Sequence, residues 1–133
     1  MRKFEFDRKV RTVLRGICTL MRGAPLLNPL RYGLFSWQLF SHKLCRWLVP
    51  LAMVGALGAN TALAVREPFY RTLWIGHCAF YGLALAGLGG GRWPPTHLLR
   101  LPSFFVLVNA SIAHAWYRYA RGDRMLAWTP SRR

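Results

Sequence analysis

Three long stretches of apolar residues constrain this chain more than any other feature of its sequence. They cover residues 48–65, 69–89 and 101–120, and the first of them contains no charged side chain. A bilayer core about 30 Å thick requires about 20 helical residues, and each stretch approaches or meets that length. Because backbone exposed to lipid must satisfy its own hydrogen bonds, we expect these stretches to be helical. The sequence therefore predicts an all-α membrane protein with about three transmembrane helices.

The charge of the chain is strongly positive, and the apolar stretches beside it indicate the partner. The 133 residues include 19 Lys and Arg against 4 Asp and Glu, which gives a formal net charge of +15. Such a charge favours nucleic acid or anionic lipid. Since the basic residues stand next to runs of membrane length, we expect an anionic lipid bilayer as the partner and no nucleic acid.

The segment before the first apolar stretch is predicted to lie at the membrane surface. Over residues 3–22, apolar side chains recur every three or four positions and basic residues fill much of the remainder, which predicts an amphipathic helix among lipid headgroups. Glycine and prolines at 23–29 predict a break, and a second amphipathic segment follows over 34–47. The predicted division is a basic amphipathic interface region at 1–47, a transmembrane region at 48–120 and a basic tail at 121–133.

The step into the first apolar stretch, FSWQLFSHKLCRWLVPL, combines aromatic rings with positive charge. Tryptophan suits a membrane interface because its ring is apolar while its N–H stays wet, and basic side chains meet lipid phosphates. Pro50 is expected in the first turn of the helix that follows, where a missing N–H costs little. The residues predicted to anchor the chain at the interface are Trp37, His42, Lys43, Arg46 and Trp47.

Four polar residues within the apolar stretches predict contacts inside the membrane. An ionisable group at membrane depth is a hypothesis of function, and its more ordinary explanation is a neutral imidazole bonded to a neighbouring helix. Asparagines at this depth are typical of hydrogen bonds between helices. The residues are Asn60, His77, Asn109 and His114.

The acidic residues are too few and too scattered to predict chemistry. Glu5 and Asp7 stand two positions apart and would diverge on a helix, while Glu67 and Asp123 are distant in sequence. The spacing of cysteines and histidines does not indicate zinc. We therefore predict no catalytic residue, no metal site and no cofactor in this chain.

Three segments together resemble the membrane C-terminus of bacterial inverting family 2 glycosyltransferases, the group that includes cellulose and hyaluronan synthases. The segments are RKVRTVLRGI, LLNPLRYGLFSWQLFSHKLCRWLVP and WYRYARGDRMLAWTPSRR. The resemblance covers nearly the whole chain, and its most specific part is Ser41-His42-Lys43 with Arg46-Trp47. It implies the membrane-anchoring part, and in processive enzymes the glycan-channel part, of an enzyme that transfers a sugar from a nucleotide-sugar to a polysaccharide or lipid-linked acceptor.

The catalytic elements of that family have no counterpart in this chain. Its aspartates are absent, and Gln38 stands at the wrong distance from Arg46 and Trp47 to match its Gln-x-x-Arg-Trp motif. The resemblance therefore implies that the chain alone is inactive and that a catalytic domain with its divalent metal is missing, for example on a partner chain. The sequence leaves open whether the chain comes from a truncated gene, is a frameshift remnant or is one part of a split enzyme. The alternative function is a free-standing membrane scaffold or a small pore or transporter subunit.

The distribution of basic residues predicts the orientation. Ten of the nineteen precede residue 48, so we expect a multi-pass membrane protein with a cytoplasmic N-terminus, and the resemblance implies the bacterial inner membrane. Three full crossings would place the basic tail outside, against the same rule. Either the tail is an exception or one apolar segment is re-entrant, and both alternatives stay open.

Overall fold

The computed structural model describes residues 2–89 and 96–124, which form an all-α arrangement. The structure is 91% helical, and none of the described residues lies in a strand. The helices are α1 (Arg2–Arg22), α2 (Pro29–Tyr32), α3 (Leu34–Leu39), α4 (Cys45–Ala64), α5 (Pro68–Gly89) and α6 (His97–Ala120). A 3₁₀ turn (Ala24–Leu27) precedes α2, and a π-helical turn (Phe40–Leu44) joins α3 to α4.

Three helices are long and apolar enough to cross a membrane, which confirms the predicted fold class. They are Leu34–Ala64, Pro68–Gly89 and His97–Ala120. Large side chains on them, such as Leu51, Ile75 and Leu85, are exposed, as expected for surfaces that face lipid rather than water. Most of the predicted basic tail, residues 125–133, lies outside the described residues.

The amphipathic helix predicted over residues 3–22 is present as α1, and its apolar face packs against α6. An ion pair between Glu5 and Lys9, 3.8 Å apart and one turn from each other, lies on α1. The apolar face of α1 therefore contacts protein, and contact of its basic residues with lipid headgroups stays a prediction. The core of this contact consists of Val10, Leu14, Ile17 and Cys18 from α1 and Ala115 from α6.

The break predicted at residues 23–29 is confirmed, and side-chain hydrogen bonds define it. The Asn28 side chain accepts from the Leu30 N–H at 3.0 Å and so caps α2, which begins with Pro29. Gly33 follows with φ of 52°, a conformation that favours glycine. The chain therefore turns twice between α1 and α3 before it enters the long helix.

The second predicted amphipathic segment is continuous with the first membrane helix. Residues Leu34–Ala64 form one helix of 31 residues, with the π-helical turn at FSHKL inside it. A π turn takes up an extra residue without ending the helix, so the basic step at residues 41–43 does not separate an interface helix from a span. Pro50, expected in a first turn, is instead buried in the interior of α4.

Helix α5 returns along α4, and α6 packs on both. The α4–α5 pair is joined by Asn60 and His77, whose side chains meet at 2.8 Å. Two turns further along α5, the buried Ser103 hydroxyl of α6 donates to the Ala84 carbonyl at 3.1 Å. These polar contacts fix the positions of the helices along one another, because apolar packing alone permits sliding.

The C-terminal part of α6 lies beside the beginning of α4. In an up-down-up bundle, α6 would run parallel to α4 and end beside the end of α4. Instead the Trp116 Nε1–H, near the end of α6, donates to the Trp47 carbonyl at 3.0 Å, at the beginning of α4. Ser103 lies beside Ala84 at the same end of the α4–α5 hairpin. Helix α6 therefore crosses one end of the hairpin rather than running along its length.

A glycine in α1 permits the close approach of α1 to the beginning of α4. A Cβ atom at Gly16 would lie 2.7 Å from Cζ2 and 2.9 Å from Cη2 of Trp47, closer than packed atoms can stand. Gly55 in α4 has open space at the same position.

We predict opposite effects for the same substitution at these two glycines. Gly16→Ala should destabilise the fold by about 1–3 kcal/mol, because the methyl group overpacks the indole. Gly55→Ala should be neutral or stabilising by up to about 1 kcal/mol, from helix propensity alone. Thermal unfolding of both variants in the same detergent measures the difference, and equal stability would contradict the packing of Trp47 on α1.

Candidate functional site

Four of the five predicted anchoring residues are exposed around the π-helical turn. Trp37 is 64% exposed and stacks on Phe40 with ring centroids 6.2 Å apart. His42 and Lys43 lie on the π turn itself, and Arg46 follows in the first turn of α4. The arrangement presents an aromatic pair beside positive charge, the combination that suits a headgroup layer. Their anchoring role stays a prediction.

Trp47 differs from the other four because its ring packs inside the protein. It is half-buried against the core formed by α1 and α6, over Gly16. Its carbonyl accepts the hydrogen bond from Trp116 described above. Trp47 therefore joins three helices, a role that a tryptophan at a predicted interface does not reveal, because an indole suits both positions.

Asn60 and His77 were predicted as intramembrane polar contacts, and the structure brings them together. Asn60 is buried, and with its amide oxygen turned toward the donors it accepts from the His77 Nδ1–H at 2.8 Å. In that orientation the same oxygen accepts from the Trp74 backbone N–H at 3.1 Å. The amide nitrogen then donates to the Tyr70 carbonyl at 3.1 Å. All the hydrogen-bonding groups of this amide are thus directed at α5.

The other two predicted polar residues, Asn109 and His114, do not meet. Asn109 is buried, but its amide donates to the Phe105 carbonyl one turn earlier, within α6, at 2.9 Å. His114 is exposed and lies against two rings, Phe6 at 5.9 Å and Tyr117 at 6.1 Å between centroids.

Two serines make contacts that the sequence did not indicate. The Ser36 hydroxyl is buried and lies 2.6 Å from the Leu26 carbonyl and 2.9 Å from the Asn28 carbonyl, holding α3 against the preceding turn. Ser103 is also buried and reaches α5. Serine is common in helices and at turns, so only its tertiary neighbours distinguish these two from ordinary polar positions.

Basic and aromatic side chains cluster where α1 and α6 end. Arg124 lies 4.0 Å from the centroid of the Tyr119 ring and donates to the Tyr119 carbonyl at 2.6 Å. Arg118 pairs with Asp123 at 2.7 Å, in an exposed bridge that contributes little to stability. Arg22 of α1 borders the same cavity as Arg124, of about 270 Å³. The ends of α1 and α6 therefore share one positive surface.

The described residues do not assemble a group of metal ligands. Within 2–89 and 96–124, no three His, Cys, Asp or Glu side chains lie together as a metal site requires. Cys18 is buried, Cys45 and Cys78 are exposed, and all three are free thiols. The absence of a cofactor from this chain stays a prediction.

Comparison with known proteins yields no relative. No protein-family model, no curated protein and no solved structure matches this chain. The fold class therefore rests on the helices themselves, and the relationship to family 2 glycosyltransferases stays a prediction from the sequence.

We predict that Asn60 and His77 are energetically coupled and that Asn109 and His114 are not. In a double-mutant cycle, Asn60→Ala and His77→Ala should couple by about 0.6–1.7 kcal/mol, the range for hydrogen bonds between membrane helices. Asn109→Ala and His114→Ala should be additive, since these side chains do not meet. Unfolding in mixed micelles measures each cycle. Equal coupling in the two cycles would contradict the α4–α5 contact.

Proposed function

We propose that this chain is a membrane anchor. Its α4–α5 hairpin crosses the bilayer, and α1 with the C-terminal end of α6 forms one basic platform at the cytoplasmic headgroups. The observation that carries the proposal is the hydrogen bond from Trp116 to the Trp47 carbonyl, because it sets the end of α6 beside the beginning of α4. The short link between α4 and α5 lies at the opposite end of the hairpin.

This arrangement supports the re-entrant alternative for the third apolar segment. If α6 crosses one end of the hairpin, its arginines lie on the same side of the membrane as the basic residues of α1. The excess of positive charge then falls on one side, as the positive-inside rule requires. An exception for the C-terminal tail is not needed. The basic residues of this platform are Arg8, Lys9, Arg11 and Arg15 on α1 and Arg118, Arg121 and Arg124 at the end of α6.

We predict the labelling pattern of single cysteines in a background that lacks Cys18, Cys45 and Cys78. Cysteine at position 67, between α4 and α5, should react with an impermeant thiol reagent on intact cells. Cysteines at 3, 31 and 124 should be protected and should react only after the membrane is opened. Labelling of position 124 on intact cells would support three full crossings and contradict the proposed platform.

We further propose that the anchor serves an enzyme of the family 2 glycosyltransferase type whose catalytic domain is supplied elsewhere. The support is the resemblance in the three segments, two of which correspond to α1 and to the step through the π turn into α4. The platform would hold that domain at the cytoplasmic surface, where nucleotide-sugars are present. The chain itself contributes position rather than chemistry.

The enzyme assignment predicts that sugar transfer in membranes requires this chain, although the chain itself binds no sugar donor. Deleting the chain should abolish incorporation of labelled sugar from nucleotide-sugars into polymer or lipid-linked product in native membranes, and re-expression should restore it. The purified chain in nanodiscs should bind no nucleotide-sugar, with or without divalent metal. Unchanged incorporation would favour the free-standing scaffold or transporter subunit, and saturable metal-dependent binding would contradict a purely anchoring role.

A further inference from the structure

A wide apolar groove opens between α4, α5 and α6 at the end of the hairpin that α6 crosses. Its volume is about 940 Å³, within the range of about 300–1,000 Å³ for small-molecule sites. Val49 of α4 and Phe80 of α5 line one side. The other side is a stripe of α6 that includes Leu98 and Leu101, which are 70% and 68% exposed. Such side chains require an apolar occupant.

One end of the groove is basic. Arg46 lines the groove and also a neighbouring cavity of about 590 Å³, whose walls include Arg8 and Lys9 of α1. The guanidinium groups of Arg8 and Arg46 make no hydrogen bond or ion pair among the residues that the structure describes. Lys9 pairs with Glu5 and lies 5.0 Å from the centroid of the Phe104 ring, between the two cavities. The apolar groove therefore borders positive charge that has no partner among residues 2–89 and 96–124.

We propose that this groove binds one anionic phospholipid of the surrounding bilayer. Its acyl chains lie along the exposed stripe of α6, and its phosphate lies between Arg46 and Arg8. The apolar stripe together with the two arginines favours this occupant. A zwitterionic lipid would leave the two guanidinium groups without net compensation, and a free phosphate would leave the apolar stripe uncovered.

The lipid also has a structural consequence for the platform. Arg46 belongs to α4 and Arg8 to α1, so a phosphate between them bridges the hairpin and the basic helix. The proposal rests on the membrane placement of the hairpin proposed above. The two are tested separately, because a chain that inserts with the expected cysteine labelling and yet shows no lipid preference would overturn only the lipid site.

The test compares phosphatidylglycerol with phosphatidylcholine of identical acyl chains. Each is titrated into the purified full chain in a neutral detergent, and bound lipid is counted by native mass spectrometry. The wild-type chain should retain one phosphatidylglycerol in clear preference to phosphatidylcholine. Arg46→Gln should reduce that preference about fivefold, the effect of one basic residue near an anionic surface. Arg66→Gln, at the opposite end of the hairpin, is the control and should leave it unchanged.

A second pair of variants tests the groove itself. Leu101→Trp fills the groove and should reduce binding of both lipids, whereas Leu85→Trp, at an equally exposed leucine of α5 outside the groove, should not. Helix content from circular dichroism verifies that each variant folds. Equal losses in Arg46→Gln and Arg66→Gln would reduce the effect to general surface charge and overturn the site.

Two further outcomes would assign the groove to another occupant. Displacement of the lipid by millimolar inorganic phosphate would indicate a site for free phosphate. If the wild-type chain is a dimer without bound lipid and Leu101→Trp converts it to a monomer, the groove is occupied by a second copy of the chain. Either result overturns the proposal, whereas a wild-type monomer that keeps its bound lipid in millimolar inorganic phosphate supports it.

Discussion

The contact between Trp47 and Trp116 is the constraint on which the arrangement of the helices depends. One hydrogen bond of 3.0 Å is worth only about 1 kcal/mol by itself. Its importance lies in its position, since it ties the beginning of α4 to the end of α6 while the same indole of Trp47 rests on Gly16 of α1. Three helices that are distant in sequence are therefore held at one point. Removing this point would leave α6 held by its packing against α1 and α5, without the bond that ties its end to the beginning of α4.

One face of α1 is buried beside the contact between Trp47 and Trp116. This burial shows that α1 is part of the protein's core and is not an independent surface helix. An isolated basic amphipathic helix would place its apolar side chains in lipid. Here Leu14 and Ile17 are fully buried against α6, so the helix contributes packing to the protein and charge to its surface. The basic residues of α1 are thus held rigidly against the membrane helices, whereas an isolated helix would bind the lipid surface reversibly. This difference gives the proposed platform and the proposed lipid phosphate a fixed geometry.

Sequence patterns were sufficient for the helices and insufficient for their contacts. The periodicity of residues 3–22 and the length of the apolar stretches correspond to α1, α4, α5 and α6, because local patterns determine local structure. Asn60 and His77, both predicted as polar contacts within the membrane, contact each other between α4 and α5, whereas Asn109 bonds within α6. Whether a polar side chain bonds its own helix or a neighbour depends on the crossing of α6, which no local pattern encodes. The contact of Trp116 with Trp47 was not predicted for the same reason.

The π-helical turn has a consequence for the direction in which the long helix presents its rings. Trp37 and Trp47 are ten positions apart, and in a regular α-helix they would project about 80° from each other. One extra residue taken up by the π turn changes this to about 180°, on opposite sides of the helix. A single continuous helix can then expose the indole of Trp37 while the indole of Trp47 packs, half-buried, against α1. The irregularity at FSHKL thus acts as a rotational offset between the two halves of one helix.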